Sequence, residues 1–160
     1  MIQRIQTLYL LAVVALGIAL FWLPVVEFVP AANMLHTWQL RPLGFAELMP
    51  VGDEALVPAV QGLWGLLVAT ALIPLLALVD IFLYNKRILQ ARLNIFTVLL
   101  CVGYYGVVAI YVWLVTMVAE VEWFITPWAS FPLICMILTI MATRAILKDE
   151  ALVRAADRLR

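Results

Sequence analysis

The chain has little charge, and this scarcity limits the classes of protein to which it can belong. Charged residues make up 12% of its 160 residues, against about 25% in a soluble domain. So few charges cannot cover a globular core with a polar surface. The ten basic and ten acidic residues also cancel, and we expect no nucleic acid as a partner.

Histidine and cysteine are equally scarce. His36 is the single histidine, and Cys101 and Cys135 are the two cysteines. None of them lies in a CxxC, CxxCH or HExxH pattern, and no GxSxG, Walker or GxGxxG element is present. We therefore expect no catalysis, metal or cofactor, and we interpret both cysteines as packing residues. A disulfide between them would require two helices to bring them within bonding distance.

Long apolar stretches are what the sequence has in abundance. Apolar residues make up 67% of the chain, and its mean hydropathy is +1.10. Four stretches reach the ~20 residues that a helix needs to cross a bilayer: Leu8–Phe28, Ala59–Tyr84, Ile95–Ala119 and Phe124–Leu147. A helix pairs its own backbone groups, as lipid requires. We predict an all-α membrane fold, a bundle of four transmembrane helices forming a single domain over residues 1–160.

The positions of the basic residues predict the orientation. Nine of the ten fall on one side of a chain that crosses four times: Arg4, Lys86, Arg87, Arg92, Arg144, Lys148, Arg154, Arg158 and Arg160. Short loops rich in Lys and Arg stay in the cytoplasm. We therefore predict a multi-pass protein of the bacterial inner membrane with both termini cytoplasmic. The first stretch also imitates a signal peptide, but its apolar run is longer than a typical signal sequence has.

Two segments lie outside the predicted spans. The outer loop, residues 29–58, contains an alternating stretch, Leu35–Leu40, that could form a short strand or hairpin arm and cap the bundle. The tail, residues 148–160, has the spacing of a cytoplasmic amphipathic helix. Its candidate partner-contact residues are Glu150, Leu152, Arg154, Asp157, Arg158 and Leu159. A lipid-facing helix, a partner contact and a solvated anchor all remain open for it.

Small residues and prolines within the spans indicate how the helices pack. Small residues let helix backbones approach closely in lipid, and we expect packing within the chain at Ala15, Ala19, Gly62, Gly65, Gly103 and Gly106. Pro74 and Pro132 lie inside the second and fourth predicted spans, where proline kinks a helix.

Asp80 is the one acidic residue clearly inside a predicted span. Ionisable groups at membrane depth are costly and are usually partnered. Arg4 or Arg144 could meet Asp80 across the bundle, and we favour this structural ion pair over a proton or cation site. On the outer side, Glu120, Glu122 and Trp123, with Glu27, form a candidate patch for a cation or a basic partner, although these acids could also simply maintain the charge asymmetry.

Three segments resemble one protein family. They are the opening Met1–Leu10 (MIQRIQTLYL), the inner connection Asn85–Leu93 (NKRILQARL) and the close Arg144–Arg160 (RAILKDEALVRAADRLR). Together they are similar to an uncharacterised family of Bacteroidota membrane proteins known as domain of unknown function 4293. The resemblance implies a small inner-membrane protein with four spans and leaves its activity open.

Two functions remain after these exclusions. The first is a non-catalytic accessory, scaffold or assembly subunit of a larger membrane complex, in contact with the lipid bilayer and other membrane subunits. The second is a small transporter or membrane-ligand-binding protein that uses Asp80. A polar cavity reaching Asp80 would favour the second, and a closed interior with Asp80 paired to Arg4 would favour the first.

Overall fold

The computed structural model describes residues 3–30, 37–47, 64–83, 86–118 and 120–157. Four helices lie in this part of the chain: α1 (Gln3–Ala19), α2 (Trp64–Phe82), α3 (Arg87–Val118) and α4 (Phe131–Asp157). α1 packs against α2 and α4, and α3 packs against the same two helices. The helices therefore surround a shared interior, which we call the bundle interior.

Three of these helices, α2, α3 and α4, are long and apolar enough to cross a membrane. This agrees with three of the four predicted spans. α1 is shorter, with 17 residues, which corresponds to about 26 Å of helix. α1 is therefore shorter than the other three, and length and composition do not establish the first predicted span, Leu8–Phe28.

The predicted end of the first span, Phe28, is wrong. α1 ends at Ala19, and tighter turns carry helical hydrogen bonding only as far as Trp22 N, which donates to Ala19 O at 3.2 Å. Pro24 follows, and proline has no N–H to continue a helix. The apolar residues after it enter a strand instead, because their side chains are buried on one face of a sheet.

That sheet has four strands in the order β3-β2-β1-β4, with antiparallel neighbours. The strands are β1 (Val26–Pro30), β2 (Trp38–Arg41), β3 (Gly44–Glu47) and β4 (Val121–Ile125). The strand predicted in the outer loop is present as β2, which forms a hairpin with β3. Glu120–Trp123, predicted as a short turn, is instead largely strand. His36 lies outside the described residues.

One face of the sheet closes the bundle interior. Val26, Phe28 and Leu40 are each at most 1% exposed, and they alternate with polar residues along their strands as a half-buried sheet requires. Thr126 fastens the end of β4 to the start of β1: its hydroxyl lies 2.5 Å from Pro24 O and 3.0 Å from Val25 O. The connection between α1 and α2 and the connection between α3 and α4 are thus joined into a single cap.

Two further boundaries differ from the prediction. α3 begins at Arg87, eight residues before the predicted Ile95, because the connecting segment contains neither proline nor glycine to prevent helix formation. α4 begins at Phe131 rather than at Phe124, after a 3-10 turn, Pro127–Ser130. Pro132 therefore lies in the first turn of a helix, where proline is tolerated, and the predicted kink in mid-span is wrong. Pro74 does lie inside α2.

The glycines do not all serve the packing predicted for them. A Cβ at Gly103 or at Gly106 would meet nothing within 4 Å in the described structure. Both are exposed on α3, so the prediction of packing within the chain is wrong for this pair. Close packing occurs at Gly17 instead, where a Cβ would lie 2.9 Å from Pro74 Cδ.

Candidate functional site

The candidate site is a carboxyl group enclosed by the helices. Asp80 lies in the last turn of α2 and is 1% exposed. Among the described residues, neither of its side-chain oxygens has a hydrogen-bond partner. Charged side chains in proteins are almost never fully buried unless they are paired. Asp80 is therefore the residue whose burial most needs an explanation.

A polar stripe on α3 faces the same region. Gln90, Asn94, Thr97, Cys101 and Tyr104 recur at intervals of three and four residues, so they share one face of the helix. All five are buried. The face that α3 turns toward α2 is therefore polar along several turns. The rest of its surface is largely apolar and exposed.

Gln90 caps the C-terminal end of α2. Its Nε2 donates to the backbone carbonyl of Asp80 at 3.2 Å. The last carbonyls of a helix lack partners within the helix, and here Leu83 N also donates to the Asp80 carbonyl at 3.1 Å. The backbone of Asp80 is therefore satisfied, whereas its side chain is not.

Asn94 is the polar side chain that interacts with the Asp80 carboxyl. The contact falls short of hydrogen-bond geometry, because Asn94 Nδ2 and both carboxyl oxygens remain without a partner in the described structure. Leaving a buried polar group unsatisfied costs about 1–3 kcal/mol. Two such side chains face each other here, so this arrangement lowers the stability of the folded protein.

The predicted ion pair has a different outcome for each arginine. Arg144 is exposed on α4, and the described residues show no hydrogen bond or ion pair between it and Asp80. The side chain of Arg4 lies outside the described part of the chain, so a pair between Arg4 and Asp80 stays a prediction. The neighbour that sequence reasoning missed is Asn94.

The two cysteines lie in the bundle interior as free thiols. Cys101 and Cys135 are both buried, on α3 and α4 respectively. Cys135 Sγ lies 3.9 Å from the carbonyl oxygen of Val13 on α1. Their surroundings agree with the interpretation of both as packing residues.

The tail residues continue α4. The helix runs without a break past the predicted membrane boundary at Leu147 to Asp157. Gln6 Nε2 donates to Asp149 Oδ2 at 2.8 Å, so this end of α4 is fastened to the beginning of α1. Leu152 is 54% exposed. The side chains of Arg154 and Asp157, and all of Arg158 and Leu159, lie outside the described structure.

The outer acidic patch is only partly assembled. Glu27 Oε1 accepts a bond from Gln39 Nε2 at 2.9 Å, and Gln39 Oε1 accepts one from Arg41 Nη2 at 2.6 Å. Gln39 therefore links the Glu27 carboxylate on β1 to the Arg41 guanidinium on β2. Glu122 and Trp123 on β4 are exposed, as is Glu120 before it. The sheet places Glu122 on the same face as Glu27, because Val29 is paired with Glu122.

The three helices that are long and apolar enough to cross a membrane define the class: this is an integral membrane protein. The chain belongs to the family described as Domain of unknown function (DUF4293), whose model matches residues 2–159. The family resemblance found in the sequence is thereby confirmed over almost the full length. No curated protein and no solved structure matches the chain.

Proposed function

We propose that this protein is a non-catalytic accessory, scaffold or assembly subunit of a larger inner-membrane complex. The observation that carries the proposal is the exposed face of α3 around Gly103 and Gly106. Glycine in a helix costs about 1 kcal/mol relative to alanine. Neither glycine is used for close packing within the described chain, whereas contact with a second transmembrane helix would explain both.

The low burial of α3 also supports this helix as a contact surface. α3 has the smallest buried share of the three spanning helices, 17% against 39% in α2 and 28% in α4. Leu99 and Ile110, one turn before Gly103 and one turn after Gly106, are 62% and 56% exposed. Large side chains beside small ones form the ridges and hollows into which a partner helix can fit.

The proposal includes four spans and cytoplasmic termini. Counting the tighter turns that reach Trp22, α1 extends over about 20 residues, or roughly 30 Å. Exposed basic residues lie at the end of the molecule away from the sheet: Lys86, Arg92, Arg144 and Lys148. The sheet end carries the exposed Glu122 of β4 and the exposed Glu120 before it. This asymmetry supports an outer sheet and an inner tail.

The test is isolation of the protein from native membranes in mild detergent, followed by identification of its companions. We would compare the unaltered chain with Gly103→Ile/Gly106→Ile, and with Ala15→Ile as a matched control on an exposed position of α1. A variant lacking residues 150–160 tests the tail. We expect a defined set of membrane subunits, lost with the glycine variant and kept with the control. A chain recovered alone under all conditions would contradict the proposal.

A second function is favoured by one specific observation, the unpartnered carboxyl of Asp80. It is a small transporter or a membrane-ligand-binding protein. Measuring uptake into vesicles containing the purified protein, with Asp80→Asn as the comparison, distinguishes it from the accessory role. Uptake that requires Asp80 and proceeds without other subunits would favour this second function.

A further inference from the structure

The side chains of Asp80 and Asn94 leave hydrogen-bonding capacity unused inside the protein. Each residue is 1% exposed. Two carboxyl oxygens and one amide nitrogen lack partners in the described structure, although the side chains are close enough to interact. A carboxylate can only accept hydrogen bonds, whereas an amide both donates and accepts. An ionised Asp80 could therefore use Asn94 Nδ2 but not Asn94 Oδ1.

No described base neutralises the carboxylate. On α3, the groups that face α2 here are the uncharged Gln90, Asn94 and Thr97. The basic residues Lys86 and Arg92 are exposed at this end of the molecule. On the other two helices, Arg144 and Lys148 are exposed, and Asp149 is engaged by Gln6. The side chains of Arg4 and Arg87 are outside the described part.

The helix that carries Asp80 also disfavours a negative charge. Asp80 lies within the last turn of α2, which ends at Phe82. The C-terminal end of a helix carries a partial negative charge, and this effect acts mainly within the last turn. Asn94 lies in the second turn of α3, and the partial positive charge of a helix N-terminus acts mainly within the first turn. Gln90, in that first turn, donates to the backbone carbonyl of Asp80 and not to its carboxyl group.

We propose that Asp80 and Asn94 form a reversible proton-binding site within the membrane. A hydronium ion transfers its proton to one carboxylate oxygen: the new O–H bond forms as an O–H bond of hydronium breaks, and a water molecule is released. The resulting O–H donates to Asn94 Oδ1 while Asn94 Nδ2 donates to the other carboxyl oxygen, after a small rotation of the side chains. Only the neutral acid completes this pair of hydrogen bonds. The site goes beyond the second function proposed above: it names a ligand for Asp80, and it requires neither transport nor the accessory role.

A proton suits this site better than a metal ion. The described residues contain no group of three or more His, Cys, Asp or Glu side chains that could hold a metal. Hard cations need about six oxygen ligands. Asp80 and Asn94 supply three side-chain oxygens between them, and the Thr97 hydroxyl is already directed at Leu93 O, 3.0 Å away. A proton needs only one oxygen.

The test uses the full-length protein in lipid vesicles and the apolar reagent N,N′-dicyclohexylcarbodiimide, which reacts with protonated carboxyl groups in apolar surroundings. Peptide mass spectrometry locates the adduct over a range of pH. We expect labelling of Asp80 that decreases several-fold as the pH rises, and that is absent from Asp80→Asn. Asp149→Asn is the matched control, since it removes another carboxyl at the same end of the protein and should leave the Asp80 adduct unchanged.

Each other outcome overturns the proposal. These outcomes are an unlabelled Asp80 at every pH, labelling that does not change with pH, and an adduct that persists in Asp80→Asn. Mapping of the adduct on the unaltered chain still tests the proton site if Asp80→Asn does not fold. Because labelling requires no transport, a failed uptake assay with a positive adduct would contradict the transporter and leave the proton site standing.

Discussion

The contact between Gly17 and Pro74 allows a sharp test of helix packing. Replacing Gly17 with alanine would place a Cβ 2.9 Å from Pro74 Cδ, 3.1 Å from its Cβ and 3.2 Å from its Cγ. Carbon atoms in good contact are about 3.5–4.0 Å apart. The proline ring is rigid and buried, so α1 and α2 would have to separate by several tenths of an ångström.

The size of the effect follows from comparing two alanine variants. An added methyl group in a packed interior costs about 1–3 kcal/mol, whereas glycine to alanine in a helix gains about 1 kcal/mol. Gly103→Ala shares the gain and meets no neighbour. The gain cancels in the difference between the variants, so Gly17→Ala should be less stable than Gly103→Ala by about 1–3 kcal/mol.

Unfolding of the purified protein by titration with a denaturing detergent would measure both free energies. Pro74→Ala provides a second control, because it removes Cδ and Cγ, the ring carbons that would lie 2.9 Å and 3.2 Å from the new methyl group. The loss caused by Gly17→Ala should be smaller in that background, since neighbouring sites are not additive. Equal stabilities for Gly17→Ala and Gly103→Ala would show that the close approach of α1 and α2 is not a constraint on the folded protein.

Three other variants test the cap, the start of α4 and the orientation. Thr126→Val should lower the free energy of unfolding by about 1 kcal/mol, because it removes the hydroxyl that joins β4 to β1; the exposed Thr116→Val should change it by less than about 0.5 kcal/mol. Tyr105→Phe should cost about 1–2 kcal/mol in the same titration, since the Tyr105 hydroxyl donates to Ala129 O at 2.7 Å and accepts from Leu133 N at 3.1 Å, and no loss would mean that water replaces both bonds. For orientation, a membrane-impermeant maleimide should label Glu122→Cys in intact cells and Lys148→Cys only after the membrane is opened, against a low background from the two buried native cysteines. Labelling of Lys148→Cys in intact cells would contradict a cytoplasmic tail.

The sequence predicted the long helices because their signal is local. α2 arises from a continuous apolar run, and neither Pro74 nor Asp80 outweighs it. The end of α1 could not be predicted in the same way. Val25, Val26 and Phe28 are as apolar as a membrane span, but they lie in β1 or directly before it and are buried in the same core cluster as helix residues far away in the chain. Counting apolar residues cannot distinguish burial in lipid from burial beneath a sheet.

The candidate site was half predictable for a similar reason. An acid within an apolar run is visible directly, so Asp80 was found. Its neighbour Asn94 was missed because the third span was taken to begin at Ile95, which left Asn94 in a loop. Extending the helix backward would have placed Gln90, Asn94 and Thr97 on one face. In addition, we looked for a partner of Asp80 with the opposite charge, which favoured arginines and left the uncharged amide of Asn94 out of consideration.

The pairing of β1 with β4 also sets an order for the synthesis of the protein. β1, β2 and β3 come from one stretch of chain and can pair as soon as it has emerged. β4 follows α3, and Val26 pairs with Ile125 across almost a hundred residues, a contact that local folding cannot form early. Until α3 has been made, the edge of β1 is open to other strands. Newly made chains therefore pass through a stage in which a strand of a neighbouring molecule could occupy the place of β4. The rate at which α3 is inserted determines how long that stage lasts.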